Sequence, residues 1–208
     1  MQRDPEDIVA AGYDLIADRY LQWSDEVRGD PSLRLLEELI SRLPQRPAVL
    51  DLGCGAGTPC TALLAERGEV TGVDLSARQL ELARAAIPTV RFLRADMSTV
   101  EFPPATFDAV TAFYSITHVP RAQQGNLFRR IATWLRPGGL FLASLGAGAM
   151  EGTVPDWLGT PMYFSSHAAA TNRNLLAQVG LRVLIDEEVT MTEPEGPVTF
   201  QWVIAARE

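Results

Sequence analysis

The chain has 208 residues, a length that suits one domain with elaborations, and its 47% hydrophobic and 21% charged content without low-complexity tracts excludes a disordered chain. The 26 acidic residues outnumber 18 basic ones, all of them arginine, for a formal charge of -8. Phosphate backbones and anionic membrane surfaces repel such a chain, so neither a nucleic-acid nor a membrane partner is expected.

The segment Met1–Asp7 is acidic and lacks the apolar core of a signal peptide. No apolar run approaches the roughly 18 residues that a membrane span needs. Asp4 can cap a helix with Pro5 in its first turn. Ile8, Tyr13, Ile16, Tyr20 and Trp23 follow at near-helical spacing. A second helix starts at Asp30-Pro31, carries Leu35, Leu36, Leu39, Ile40 and Leu43 on its apolar side and stops at Pro44. Both helices precede the first strand, so residues 1–44 read as a helical lid and 48–208 as the core of a single domain.

Val49 to Leu52 reads as a short buried strand carrying the acidic Asp51 near its end, followed by Gly53, Gly55 and Gly57 and the start of a helix. Glycines are needed where the backbone turns sharply and a ligand approaches main-chain atoms, and the helix aims its free N–H groups at the turn. The pattern is Asp-x-Gly-x-Gly-x-Gly, with Thr58 where a dinucleotide fingerprint has its third glycine. A carboxylate at Asp51 would repel a pyrophosphate and attract an amino-acid ammonium, directly or through water. On these residues the chain resembles the class I (Rossmann-like) S-adenosylmethionine (SAM)-dependent methyltransferases, which implies SAM as cofactor, with Asp51, Gly53 and Gly55 in its site. Cys54 and Cys60 are too few for a disulfide framework or a cysteine-built metal site, so no metal is expected. They suit a reduced cytoplasm.

Glu69 to Asp74 reads as the second strand, with Asp74 placed to accept from both ribose hydroxyls and Leu75 beside it. Ser76 and Gln79 form a capping box. The third strand ends before Ala95-Asp96-Met97, where the resemblance implies that Asp96 meets the adenine amino group and Met97 packs on the ring. The fourth strand runs from Phe107 to Phe113, and Phe113 is assigned to the cofactor site. His118 follows at the same edge of the sheet and is the candidate general base, with an expected pKa near 6.5 before its surroundings act.

Pro137-Gly138-Gly139 is read as a turn before a fifth strand, and the Leu-Arg-Pro-Gly-Gly run is frequent in the resembling family. Residues 146–164 read as a loop rich in glycine, proline and aromatics. Its Trp157, Met162 and Tyr163, with His167 just beyond, are expected to line an apolar acceptor pocket. The sixth and seventh strands, near 181–189 and 198–204, are joined by a turn, so the last is antiparallel. Alternating strands and helices thus predict an α/β fold, a doubly wound, seven-stranded, mostly parallel sheet. The resemblance extends to Tyr-Asp-x-x-Ala-x-x-Tyr at Tyr13–Tyr20, similar to a cofactor-covering N-terminal helix, and adds Tyr20 to the cofactor site.

The resemblance implies methyl transfer to a small molecule, as in the ubiquinone-biosynthesis-like branch, at oxygen, nitrogen or carbon. The Asn/Asp-Pro-Pro-Tyr/Phe run of nucleic-acid amino methyltransferases is absent, with Thr111-Ala112-Phe113-Tyr114 in its place. Two alternatives stay open: a nicotinamide-dependent oxidoreductase and a non-catalytic SAM-binding regulatory domain. A homodimer also stays open.

Overall fold

The computed structural model describes residues 4–208; Met1–Arg3, part of the segment read as too polar for a signal peptide, lie outside the described residues. Helices α1 (Pro5–Glu26) and α2 (Ser32–Ser41) precede strand β1 (Ala48–Leu52). Then come α3 (Cys60–Ala65), β2 (Glu69–Asp74), α4 (Ala77–Ala86), β3 (Arg91–Arg94) and β4 (Phe107–Ala112). A 3-10 turn at Ile116–His118 leads to α5 (Arg121–Trp134) and β5 (Leu135–Gly146). The chain ends with β6 (Met150–Trp157), β7 (Thr160–Ser166), α6 (Ala169–Gln178), β8 (Leu181–Glu193) and β9 (Gly196–Arg207).

The large sheet has the order β3-β2-β1-β4-β5-β9-β8. β1 through β5 pair in parallel, and β9 is antiparallel to both β5 and β8, as the alternating pattern predicts. Strand alternation divides the core into two layers. Val49, Ala109 and Leu142 face α2, α3 and α4 through Leu35, Leu64 and Leu80. Leu50, Val110 and Phe141 face α5 and α6 through Leu127, Ile131 and Leu176. Among the described residues no helix is long and apolar enough to cross a membrane.

Three expectations change. Residues 146–164 are not a loop: β6 and β7 form an antiparallel hairpin of their own, irregular between Val154 and Trp157. Its glycines and prolines hide the alternation, and packing on α1 supplies what propensity lacks. The Pro137-Gly138-Gly139 run is not a turn before the strand but an irregularity within β5, where Leu135 pairs with Phe107 and the register slips before Leu140 meets Ala109. α2 is not part of a lid: Leu35, Leu36 and Leu39 are fully buried against the sheet, so of these two helices α1 is the one that covers the sheet edge.

α1 is fixed over the carboxyl edge of the sheet by polar contacts. The Asp14 carboxylate accepts from Ser76 Oγ (2.6 Å) and from the Arg78 backbone N–H (3.0 Å), at the N-terminus of α4 where negative charge is favoured. Arg78 also pairs with Asp18 at 3.2 Å. Further along, Trp23 Nε1 donates to the Glu195 carboxylate at 2.9 Å and Arg19 donates to the Leu158 carbonyl. Asp14→Ala therefore lowers stability by about 1 kcal/mol and speeds hydrogen exchange in the α1 amides relative to those of the sheet. Unchanged α1 exchange in that variant would show that the Asp14 contacts do not hold the helix.

Candidate active site

The turn after β1 is built for close approach. Gly53, Gly55 and Gly57 have φ of +70°, +53° and +80°, which glycine adopts without penalty. A Cβ on Gly53 would lie 2.2 Å from the Ser115 Cβ. Asp74 ties this turn to the next helix: its carboxylate accepts from the Gly55 N–H and the Ser76 N–H, each at 2.9 Å. Burial pushes its pKa up to about 6, those two hydrogen bonds oppose the shift, and the charges of Asp51 and Asp14 add to it.

A cavity opens above the turn. Gly53, Gly55, Asp74, Leu75, Asp96, Met97 and Phe113 all line it, as the sequence expects, and Tyr20 reaches it from α1. The capping box is only half made. Ser76 Oγ accepts from the Gln79 N–H at 3.0 Å, but Asp74 has taken the Ser76 N–H that the Gln79 side chain would have bonded. The Gln79 carboxamide is left 1% exposed at the cavity wall, and among the described residues neither its oxygen nor its nitrogen has a hydrogen-bond partner. A buried amide without a partner is costly, and a polar ligand offers one. The adenosyl part of SAM fits: hydroxyls for Asp74 and Gln79, an amino group for Asp96, an apolar face for Met97.

Asp51 does not line this cavity. Along β1 it shares a face with Val49 and is 2% exposed, turned toward α3. Its oxygens accept from Thr61 Oγ1 (2.6 Å) and Thr111 Oγ1 (2.8 Å), and burial raises its pKa despite these bonds. Direct contact with a ligand ammonium would require one of those hydroxyls to give way.

A second cavity of about 450 Å³ adjoins the first. Trp23 and Tyr20 of α1, Trp157 and Phe164 of the hairpin, and Met191, Glu193 and Phe200 of the β8–β9 ribbon line it. Tyr13, Tyr20, Tyr114 and His118 line both cavities. Tyr114 holds φ +56°, a left-handed conformation that costs a non-glycine residue about 1–3 kcal/mol. Its N–H is retained by Ser144 Oγ.

His118 is locked from both sides. Its Nδ1 lies 2.8 Å from the Tyr163 carbonyl, an oxygen that can only accept, so Nδ1 carries the proton. Nε2 therefore presents its lone pair to the Tyr13 hydroxyl at 2.9 Å. Gln124 fixes the segment by donating to the carbonyls of Ile116, Val119 and Ser165. Burial lowers the His118 pKa to about 4, partly offset by the carbonyl, so at neutral pH the ring is uncharged. Burial likewise raises the Tyr13 phenol, with smaller contributions from Tyr20, Asp74 and Glu193.

Three expected acceptor contacts sit elsewhere. Met162 is fully buried beneath α1, its methyl 2.7 Å from where a Cβ on Gly12 would lie. Tyr163 points to the other face of the hairpin, where its hydroxyl donates to Glu151 at 2.8 Å. His167 lies outside both cavities, its Nε2 3.3 Å from the Arg121 carbonyl. Trp157 does line the acceptor cavity. Sequence reasoning missed Gln79, Trp23, Tyr114 and Glu193 as site residues. The α1 spacing that placed Tyr13 and Tyr20 on one face carries Trp23 as well. Glu193 had no local signal.

The family described as a methyltransferase domain matches residues 49–139. The chain is 31% identical to methyltransferase GfsG of Streptomyces halstedii, covering 87% of this chain and 72% of that one. It is 37% identical to trans-aconitate 2-methyltransferase of Azoarcus sp. strain BH72 over 59% of this chain, and spans only 47% of that relative's length. The structure of Burkholderia thailandensis 1,6-didemethyltoxoflavin-N1-methyltransferase, solved with that acceptor and S-adenosylhomocysteine bound, has the same fold, with a TM-score of 0.67 at 21% identity over all of this chain and 92% of that one.

A raised acid pKa means that the folded chain holds the Asp74 proton more tightly than the unfolded chain does. Ionising Asp74 therefore lowers stability as pH rises from about 4 to about 6, the reverse of a salt-bridged carboxylate. The ionised form is the stronger acceptor for ribose hydroxyls. S-adenosylhomocysteine affinity, measured by calorimetry, rises with pH through about 6 and levels above it. Asp74→Ala abolishes that rise and costs roughly 1.5–3 kcal/mol of binding at neutral pH. Retention of the rise in the alanine variant assigns it to another group.

Proposed function

The chain belongs to the class I SAM-dependent methyltransferases and takes SAM as its cofactor, and we propose that it methylates a small molecule with an apolar body, held in the cavity beneath Trp23 and Trp157. One observation carries this reading: Tyr13, Tyr20, Tyr114 and His118 form a wall shared by the two cavities, so an acceptor in one can face a cofactor in the other. A regulator that only binds SAM has no use for the second cavity. The nicotinamide alternative is disfavoured by Thr58 in the glycine turn and by relatives that are methyltransferases. We read the chain as one domain acting on a small molecule rather than on nucleic acid. Its two free cysteines suit the reduced cytoplasm.

When bound, SAM supplies a methyl carbon already activated by its sulfonium. Asp74, Gln79, Asp96 and Met97 hold and orient the adenosyl part. The aromatic wall excludes water and aligns the acceptor for in-line attack, and such alignment supplies much of the rate. The proton released from an O–H acceptor passes through the Tyr13 hydroxyl to His118 Nε2, the ring nitrogen without a proton. A hydroxyl becomes strongly acidic as its oxygen bonds to carbon, so a base with a pKa of about 4 is sufficient; an amine acceptor attacks without this base and gives its proton to solvent.

His118→Ala is expected to lower the transfer rate about 10- to 100-fold with unchanged S-adenosylhomocysteine affinity, and Tyr13→Phe to lower it comparably because it breaks the same proton path. The sequence alone places the His118 inflection near pH 6.5, whereas its burial moves the inflection to about 4, so His118 leaves the rate flat around neutrality. A rate inflection near 6.5 that disappears in His118→Ala would instead make the ring a direct, solvated base.

A further inference from the structure

The acceptor cavity has a charge of one sign. Asp30 and Glu193 reach its wall, and among the described residues no arginine does. The chain has no lysine to add. Other carboxylates near the site are engaged. Asp74 bonds two backbone N–H groups, and Glu195 accepts from Trp23 Nε1 at 2.9 and 3.2 Å. Asp30 accepts from the Ser32 N–H at 2.7 Å. Glu193 is different: it is half-buried at the tip of the β8–β9 ribbon, and no hydrogen bond to its carboxylate is found among the described residues.

The same cavity is lined by an aromatic cluster. Tyr20 and Trp23 stack with ring centroids 5.7 Å apart and planes 20° from parallel. Trp157 meets Tyr13, Tyr20 and Trp23 at 5.9, 5.9 and 5.8 Å. Its other side meets Phe164 at 5.4 Å. Electron-rich ring faces attract a cation, most strongly where water is excluded, and a carboxylate without a protein partner completes such a site.

We propose that the acceptor carries a basic amine, positively charged in solution, and that Glu193 together with the Tyr20, Trp23 and Trp157 rings is the site that selects it. This rests on the assignment of the second cavity to the acceptor. It sets the chain apart from the trans-aconitate relative, whose named substrate bears carboxylates that Asp30 and Glu193 would repel. Burial and the charge of Glu195 raise the Glu193 pKa to about 7, the response of a carboxylate with no cation beside it.

The test uses three probes with one indole body: tryptamine, tryptophol and indole-3-propionate. They are titrated by calorimetry into the full chain saturated with S-adenosylhomocysteine, at about pH 8 where Glu193 is ionised. Tryptamine is expected to bind at least about 10-fold more tightly than the alcohol and the carboxylate. Glu193→Gln should reduce that preference to about twofold or less, with S-adenosylhomocysteine affinity unchanged. Equal binding of the three probes, tighter binding of the carboxylate, no tryptamine binding, or a preference that survives Glu193→Gln each overturns the proposal. Failure of S-adenosylhomocysteine itself to bind the wild-type chain is a separate result, which overturns the cofactor assignment and leaves the same probe ranking to be read on the free protein.

Discussion

The site exists because the chain reverses its direction of travel across the sheet at β1. From there it goes outward through β2 and β3, then returns to place β4 on the other side of β1. α3 and α4 consequently cover one face and α5 the other. At the carboxyl ends of β1 and β4 the connecting helices diverge to opposite faces, and a crevice is left there by topology before any particular side chain is chosen. The glycine turn forms one lip of the crevice, and the Tyr114–His118 segment forms the opposite lip. Asp74 braces the first lip by holding Gly55 and Ser76 together, while Gln124 braces the second by collecting three carbonyls. The burial that these braces require also moves Asp74 and His118 away from their ordinary pKa values, in opposite senses for an acid and a base.

The legible parts of the sequence were those where one residue type answers one local demand. Gly53 and Gly55 sit at positive φ, and Asp74, Asp96 and Met97 end strands or follow them, so sheet topology alone brings them to one edge. Asp51 stands away from the cavity for a reason also present in the sequence: in an alternating strand it shares its face with Val49, which faces α3 rather than the crevice. The β6–β7 hairpin was illegible because its strands owe their existence to α1 and to Glu151, which bonds Arg121 and Tyr163. Once the hairpin is known, alternation explains why Phe164 reaches the acceptor cavity and Tyr163 does not. Glu193 lies far along the chain from α1 in sequence, and only the long pairing of β8 with β9 carries it there.

The two cavities are assembled from different material. The cofactor side comes mainly from the sheet edge and the α4 start, with Glu6, Val9, Tyr13 and Tyr20 of α1 above them. The acceptor side comes from α1, the hairpin and the tip of the ribbon, none of which belongs to the parallel part of the sheet. Their one common boundary is the Tyr13–His118 pair and its two neighbouring tyrosines. The hairpin and the ribbon tip line only the acceptor side and can change in length or composition without touching the cofactor cradle, whereas α1 serves both.

α1 roofs both cavities as one rigid rod. Glu6, Val9 and Tyr13 overhang the cofactor side, and Tyr20, Trp23 and Ser24 overhang the acceptor side. A rod cannot lift at one end without tilting at the other, so the two ligands share a single gate. The contacts of Asp14 with Ser76 and of Trp23 with Glu195 therefore latch both openings through one helix.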